Sequence, residues 1–336
     1  MKLLLSITIA SLYGISLRLL FASFGDAMAI MSNTFFFIVP FLIGYLTILF
    51  LPYREKHTST GAFFKPSLTC LAILGITIFF RMEGVICWVM AFPIFAILAG
   101  FGGLFAFKRK RRRAFKKFEW DFEKDDKEKT GKLNISLLFF IPLFAGLVEG
   151  NHTSTFENLT VEKQIVISAS PNVVWSALTA PHQATGQSRH RTLCSLLGFP
   201  RHLTTNLDIV AVGGRRIATY EKGLTFLETI SQLEPNRRLE VSITTDPSKI
   251  SKAIMDEHIV IGGEHIRMQA DTYTLQPLPD CKTRLSLVSR FSINTPFNWY
   301  ASLWAKWLMS DVLNEELLSL RNSTVASLAP EAVALF

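Results

Sequence analysis

The sequence predicts two structurally different halves: an all-α bundle of membrane helices, then an α+β domain with an antiparallel meander and a long C-terminal helix. Residues 133–148 form an uncharged apolar run, and about a dozen residues later the alternating pattern of a β-strand begins. The chain is also too apolar for one ordinary soluble domain, with 49% hydrophobic and 18% charged residues and a mean hydropathy of +0.30. Its 336 residues leave room for about two domains.

The net charge of +8 belongs almost entirely to the first half. Residues 1–148 carry 18 Lys and Arg against 9 Asp and Glu, whereas residues 149–336 carry 17 against 18. A nucleic-acid-binding domain needs a basic face, so the nearly neutral second half argues against nucleic acid as a partner. The basic excess accompanies apolar segments and predicts membrane lipids as partners.

Five apolar stretches predict the membrane helices. A spanning helix needs about 20 apolar residues, usually ~17–25. The third stretch is interrupted by Lys65 and Pro66, and the fifth has only 16 residues before Glu149, so each needs snorkelling flanks or a locally thin bilayer to span. The stretches are residues 3–24, 34–51, 62–80, 85–107 and 133–148.

Positive charges predict the orientation of these helices, because loops rich in Lys and Arg stay in the cytoplasm. A basic run opens a charged loop, residues 108–132, which we place in the cytoplasm between about four transmembrane helices at 1–107 and a last one at 133–148. The C-terminal domain, residues 155–325, then lies outside the cell membrane, which in a bacterium is the periplasm. The expected topology determinants are Lys108, Arg109, Lys110, Arg111, Arg112 and Arg113.

The first apolar stretch has a second interpretation as a signal peptide. Lys2 precedes an apolar core, and the small residues Ala27 and Ala29 form a cleavage-site pattern. Arg18 inside the run and the ~20 residues available for a full span favour a retained helix. Both interpretations give the same topology, because a new N-terminus made by cleavage already lies outside.

A strand and a short helix open the second half. Apolar and polar side chains alternate over residues 161–168, which predicts a strand. Ser170 and Pro171 supply the N-cap and the first turn of a helix over 171–178.

An antiparallel meander follows. Alternating segments are separated by the turn signals Gly213-Gly214, Glu234-Pro235 and Gly262-Gly263. Such short connections join neighbouring antiparallel strands. The predicted strands are residues 206–212, 215–221, 224–234, 238–245, 257–261, 265–276 and 283–293.

A long amphipathic helix ends the domain. Apolar residues spaced three and four apart from Trp299 to Leu320 predict a helix over residues 296–321. Glu315 and Glu316 fall on its polar side, where we expect them to face water.

Residues 161–321 resemble the START-like or SRPBCC superfamily, which includes polyketide cyclases and lipid-transfer domains. The resemblance is carried by VEKQIVISASPNVVWSALTA, by GGRRIATYEKGLTFLETISQLEPNRRL and by the amphipathic last helix. It implies the helix-grip fold, in which the sheet curls around the last helix and encloses an apolar cavity. Members include binders, carriers and enzymes, so the resemblance implies a fold without naming one function.

Strand alternation within this fold predicts which side chains face the cavity. Apolar candidates have the alternative of simply filling a core. A carboxylate or phenol directed inward must find a partner or a ligand, so Glu228 and Tyr273 are the strongest candidates. Burial raises the pKa of Glu228 unless a base such as Arg290 or Arg267 compensates. The predicted pocket residues are Phe226, Glu228, Tyr273, Phe291, Trp299 and Leu303.

The leading functional hypothesis is a membrane-anchored domain that binds a hydrophobic small molecule or lipid. Catalysis has little support, because the sequence has no G-x-S-x-G motif, no recognisably spaced carboxylate pair and no phosphate loop. A cyclase or hydratase-like enzyme using Glu228 or Tyr273 as acid or base is one alternative. A sensory or protein-interaction module is another.

No cofactor and no metal ion are expected. The sequence has no CxxC or HExxH spacing, and most of its histidines are scattered through the second half rather than set at the spacing of metal ligands. These histidines are His182, His190, His202, His258 and His265.

Overall fold

The chain forms two compact units, Met1–Thr153 and Ser154–Phe336. The computed structural model describes residues 2–23, 32–51, 58–80, 82, 85–120, 135–149, 155–183, 194, 197, 199–244 and 265–333.

Five α-helices make up the described part of the N-terminal unit, and their bounds agree with the five predicted stretches to within a few residues, with one exception. Helix α4 continues through the basic run to Trp120, so the predicted loop starts inside a helix. Residues 121–132 of that loop lie outside the described residues. The helices are α1 (Lys2–Ser23), α2 (Val39–Leu49, preceded by a π-helical turn at Thr34–Ile38), α3 (Ser59–Phe79), α4 (Val85–Trp120) and α5 (Ile135–Glu149).

Three stretches of the described helices are long and apolar enough to cross a membrane: Lys2–Ser23, Ser59–Phe79 and Val85–Arg113. The helical stretches Thr34–Leu49 and Phe140–Glu149 are also apolar but shorter. The N-terminal unit is thus a bundle of apolar helices, as predicted from the sequence.

Glycines let helix α2 approach its neighbour α4 closely. A Cβ atom added at Gly44 would lie 1.9 Å from the carbonyl oxygen of Ala99, and one added at Gly102 would lie 1.9 Å from that of Phe41. Small residues permit such backbone contact between apolar helices, where dispersion forces replace the hydrophobic effect as the source of attraction.

We expect Gly102→Ala to destabilise the helical bundle, because the new methyl group meets a backbone oxygen that cannot rotate away. Overpacking of this kind costs roughly 1–3 kcal/mol. Gly75→Ala is the matched control, since nothing lies within 4 Å of its added Cβ. Thermal unfolding of the detergent-solubilised protein should show a lower midpoint for Gly102→Ala only. Equal midpoints for the two variants would contradict the described α2–α4 contact.

The C-terminal unit contains one antiparallel sheet whose eight strands run in the order β1-β8-β7-β6-β5-β4-β3-β2. Helix α6 (Pro171–Thr179) follows β1, and helix α7 (Asn298–Val333) follows β8. The strands are β1 (Glu157–Ile167), β2 (His182–Gln183), β3 (His202–Leu207), β4 (Arg215–Tyr220), β5 (Thr225–Glu234), β6 (Arg238–Thr244), β7 (Ile266–Leu278) and β8 (Lys282–Ile293).

Strand β3 lies about four residues earlier than predicted, because the residues after it form a turn instead of continuing the strand. The Asp208 carboxylate accepts hydrogen bonds from the backbone N–H groups of Ile209 and Arg215, both at 2.6 Å. Gly213 adopts a φ of 89°, which favours glycine. Apolar residues 209–212 therefore form the tip of a hairpin, which alternation alone misassigns to the strand.

The last helix is longer than predicted and ends near Val333 instead of residue 321. The predicted strand over residues 257–261 lies outside the described residues. The remaining predicted strands match the observed ones within a few residues, whereas the two-residue strand β2 has no predicted counterpart. A curled antiparallel sheet with one long C-terminal helix is the helix-grip arrangement, so the predicted fold class is confirmed.

Candidate functional site

A cavity of about 200 Å³ lies between the inner face of the sheet and helix α7. Most of its surface is apolar. The apolar walls include Phe226, Leu287 and Phe291 from the sheet and Leu308, Met309 and Val312 from α7.

One side of this cavity carries a buried ionic cluster, which we define as Arg216, Glu228, Asp271, Tyr273 and Glu316. The Nε atom of Arg216 lies 3.3 Å from Oε2 of Glu228, and its Nη2 atom lies 3.5 Å from Oε1 of Glu316. Arg216 and Glu228 are 3% and 6% exposed. Charges so deeply buried are costly unless paired, so their position demands an explanation.

Hairpin register brings the first pair together. Strands β4 and β5 are joined by a short turn at Glu221–Gly223, and the register places Arg216 directly opposite Glu228. Burial alternates along β5, with Phe226, Glu228 and Ile230 on the inner face. Residues directly opposite on one face of an antiparallel pair have neighbouring side chains, so two sequence-local strands build the centre of the cluster.

A bulge in strand β7 brings Asp271 into the cluster. The register of β7 against β8 shifts between Met268 and Ala270, and this extra residue reverses the side-chain alternation. Met268 and Asp271 consequently both line the cavity, although three positions separate them. Simple alternation from Met268 would have placed Asp271 on the outer face.

Helix α7 supplies Glu316, whose carboxylate links the cluster to strand β3. The Tyr273 hydroxyl donates to Oε1 of Glu316 at 3.5 Å, and Nη2 of Arg216 donates to that hydroxyl at 3.4 Å. The Nδ1 atom of His202 lies 3.8 Å from Oε2 of Glu316. The cluster thus joins strands β3, β4, β5 and β7 to the helix.

Burial changes the protonation of the cluster's carboxyl groups. It raises the pKa of Glu228 to about 7, with Arg216 opposing the shift and the negative charge of Asp271 adding to it. Burial also raises the pKa of Asp271 to about 6, against the opposing effects of Ser289 and Arg216. Near neutral pH both groups therefore exchange protons, which is the range useful for acid–base chemistry.

Tyr273 and Arg216 keep fixed protonation states. Burial and the neighbouring carboxylates raise the pKa of the Tyr273 phenol well above its usual value, so it stays protonated. Burial opposes the charge on Arg216, but Glu228, Tyr273 and Glu316 outweigh it and raise the guanidinium pKa.

Several buried polar atoms of the cluster have no hydrogen-bond partner among the described residues. They are Nε and Nη1 of Arg216, Oε2 of Glu228 and Oδ1 of Asp271. Oε2 of Glu228 is close to Arg216 Nε but is not aligned for a hydrogen bond. Buried polar atoms in native proteins are nearly always satisfied by protein, water or ligand, so these atoms mark the polar end of a binding site.

We expect the pH dependence of stability to reveal the raised pKa of Glu228. Because the folded-state pKa of about 7 exceeds the ordinary value of 4.5, the folded state binds the proton more tightly, and this contribution to stability is lost as pH rises from about 4.5 to 7. The melting temperature of Glu228→Gln minus that of wild type should therefore increase from pH 5 to pH 7.5, by roughly several degrees. Glu234→Gln, at the exposed end of the same strand, is the control and should show no such change.

Four of the six sequence-predicted pocket residues line the cavity: Phe226, Glu228, Tyr273 and Phe291. Their role in binding a ligand stays a prediction. The base near Glu228 is Arg216, whereas Arg290 pairs with Glu240 at 2.7 Å and Arg267 lies over the ring of Phe156.

The structure does not bring Trp299 and Leu303 into the cavity, since their side chains are 64% and 63% exposed. The cavity-facing part of α7 starts later than predicted, at Ala305. It includes Leu308, Met309, Val312, Leu313, Glu316 and Ser319.

Sequence reasoning missed three members of the cluster. Glu316 was expected to face water, Asp271 was not singled out because the bulge is invisible to alternation, and Arg216 was overlooked. Arg216 had an available signal, because counting outward from the tight turn before β5 pairs it with Glu228.

No protein-family model matches this sequence, and the search of curated proteins gives no significant match. Solved structures similar to the C-terminal half include a START superfamily protein from Mycobacterium smegmatis, at 13% identity and a TM-score of 0.33, covering 50% of this chain and 97% of that one. A norcoclaurine synthase point mutant from Thalictrum flavum, in complex with a transition-state analogue, shows 13% identity and a TM-score of 0.32, with 52% and 98% covered. A protein of unknown function from Staphylococcus aureus shows 13% identity and a TM-score of 0.35, with 52% and 98% covered.

Proposed function

We propose that the C-terminal unit binds a small, mainly apolar molecule that carries one polar group. The observation that carries this proposal is the cavity itself, which has apolar walls and a single ionic cluster with unsatisfied polar atoms. Ligand sites typically combine an apolar lining with a few converging polar groups that fix orientation.

The size of the cavity favours a small ligand. Its volume of about 200 Å³ lies below the ~300–1,000 Å³ typical of pockets for drug-sized molecules. A compact molecule or a single short acyl chain suits this volume better than a whole diacyl lipid. Contact with Phe226, Phe291 and Met309 would supply most of the affinity, at roughly 25 cal/mol for each Å² of apolar surface removed from water.

Membrane anchoring forms the second part of the proposal. The apolar helices of the N-terminal unit support anchoring in a bilayer, where apolar ligands concentrate. The basic run at residues 108–113 supports a cytoplasmic position for the end of α4 and an extracytoplasmic position for the C-terminal unit. The unit would then take up its ligand at the outer surface of the membrane.

Filling the cavity tests the binding proposal. Met309→Trp adds bulk to a residue that lines the cavity, so binding of 1-octanol to the full-length protein in lipid nanodiscs should weaken at least tenfold. Leu303→Trp makes a similar change on the same helix at a 63% exposed position and should leave binding intact. Isothermal titration calorimetry gives both affinities. The absence of saturable binding to wild type, for octanol and for apolar molecules of similar size, would favour the protein-interaction alternative.

A second candidate function is proton-transfer catalysis on the bound molecule. The observation that favours it is the raised pKa of Glu228, which lets this carboxyl group both donate and accept a proton near neutral pH. In D₂O, wild type would then accelerate deuterium exchange beside the carbonyl of a small bound ketone such as cyclohexanone. Glu228→Gln should abolish the acceleration while ketone binding persists, and an unaccelerated wild type would argue against this candidate.

A further inference from the structure

The charges that line the cavity are unbalanced. The described lining includes four acidic side chains, from Glu228, Asp271, Glu315 and Glu316, against two guanidinium groups, from Arg201 and Arg216. Within the ionic cluster a single guanidinium faces three carboxyl groups. Ionisation of Glu228 and Asp271 alone outweighs the charge of Arg216, so among the described residues this end of the cavity then carries excess negative charge, in a place where water can screen it only weakly.

The unsatisfied atoms indicate which kind of group is missing. Two of the four in the cluster are carboxylate oxygens, Oε2 of Glu228 and Oδ1 of Asp271, which accept hydrogen bonds. A group that satisfies both must donate hydrogen bonds, and a positive charge would also offset the excess negative charge. The other two atoms, Nε and Nη1 of Arg216, require acceptors, which water molecules beside the ligand would supply.

We propose that the ligand carries a protonated amine, which sits among the carboxylates of Glu228, Asp271 and Glu316 with its apolar body against Phe226 and Phe291. This inference rests on the ligand-binding function proposed above and names the chemical class of the ligand. An ammonium group offers three donors and one positive charge, which matches the acceptors and the charge imbalance. Phenol groups of Tyr220 and Tyr273 beside it provide neutral hydroxyl groups on the same wall.

Binding of such a ligand depends on pH through the groups that face it. These groups are Cys194, Arg201 just before β3, His202 from β3, Arg216 and Tyr220 from β4, Glu228 from β5, Asp271 and Tyr273 from β7, and Glu315 and Glu316 from α7. At pH 5.5 Glu228 and Asp271 hold protons for much of the time and attract a cation less. At pH 7.5 they are more fully ionised, so amine binding tightens and releases protons, whereas binding of a neutral alcohol does not change.

Three molecules with the same apolar chain separate the possible outcomes: octylamine, 1-octanol and octanoate. Each is titrated into the full-length protein in lipid nanodiscs at pH 5.5 and 7.5. Parallel titrations of the Met309→Trp variant give the background signal from uptake by the bilayer and by the rest of the protein. At pH 7.5 we expect octylamine to bind at least tenfold more tightly than 1-octanol does. Octylamine should also bind at least fivefold more tightly at pH 7.5 than it does at pH 5.5. Titrations in buffers with different ionisation enthalpies should detect proton release with octylamine only.

Glu228→Gln should reduce the preference for octylamine over 1-octanol at pH 7.5, and Glu240→Gln, whose side chain pairs with Arg238 and Arg290 outside the cavity lining, should keep it. Equal affinities for octylamine and 1-octanol in wild type, or tighter binding of octanoate, would overturn the amine inference while leaving the binding function intact. Failure of all three molecules to bind beyond the Met309→Trp level would count against both. The wild-type pH comparison decides the question even if Glu228→Gln folds poorly.

Discussion

Replacing Arg216 by methionine is expected to destabilise the C-terminal unit severely at pH 7.5. The substitution keeps much of the apolar volume but removes the cation that faces Glu228 at 3.3 Å and Glu316 at 3.5 Å. Removing one partner of a buried ion pair costs roughly 3–5 kcal/mol, because the remaining charge stays buried without compensation. Thermal unfolding followed by tryptophan fluorescence can detect the loss, since four of the six tryptophans lie in this unit.

Acid should partly reverse this loss. At pH 5 Glu228 and Asp271 are mainly protonated in the folded state, so less uncompensated charge remains when Arg216 is absent. The difference in melting temperature between wild type and Arg216→Met should therefore be smaller at pH 5 than at pH 7.5. Arg284→Met is the control: this side chain bonds Gln276 at the exposed surface and should change stability by about 0.5 kcal/mol or less. Similar behaviour of the two variants at both pH values would contradict the role given to the ionic cluster.

Reporter fusions are expected to give an all-or-none result for the proposed topology. A reporter active only in the periplasm should be active when fused after Phe336 and silent when inserted within residues 116–130. The physical reason is the basic run at the end of α4, because Lys and Arg near a membrane helix are retained in the cytoplasm. Silence at both positions would place the C-terminal unit in the cytoplasm and would mean that residues 133–148 do not cross the bilayer. The opposite pattern would mean that the orientation of the whole bundle is inverted.

The structure suggests which basic residues can be changed in that experiment without disturbing helix packing. Lys110 donates to the carbonyl oxygen of Ile48 at the end of α2, and Arg109 donates to the Tyr45 hydroxyl at 2.9 Å. Lys108, Arg112 and Arg113 are exposed. Changing these three to Gln should weaken the topology signal and raise periplasmic activity of the inserted reporter, while leaving the contacts between α2 and α4 in place.

Local patterns were sufficient to predict most elements of the fold and the inward direction of several strand side chains. Alternation correctly placed Phe226, Glu228 and Phe291 on the inner face, because one-sided burial imposes a period of two on each regular strand. The same rule failed for strand β3, where the Asp208 carboxylate forms a turn, and for Asp271, where a bulge reverses the phase. Both failures arise where the backbone departs from a regular strand.

The polar half of the site was harder to predict, because it depends on contacts between distant segments. Glu316 looks like a solvated residue on an amphipathic helix, and only packing of α7 against the sheet brings it within 3.5 Å of Arg216. Trp299 and Leu303 lie on turns of α7 before those that reach the cavity, and both side chains are exposed. A stripe of apolar residues shows that a helix is amphipathic, but it does not show which turns reach the cavity.

Photo-crosslinking is the most direct test of the central claim that this cavity binds an apolar small molecule. Full-length protein in nanodiscs is irradiated with a diazirine analogue of 1-octanol, and the labelled residues are identified by mass spectrometry with and without excess 1-octanol. We predict that cavity residues such as Phe226, Phe291 and Met309 are labelled and that excess 1-octanol reduces this labelling. Trp299 and Leu303 should show no labelling that excess 1-octanol reduces. Labelling confined to the apolar helices of the N-terminal unit, or cavity labelling that excess 1-octanol does not reduce, would contradict the claim.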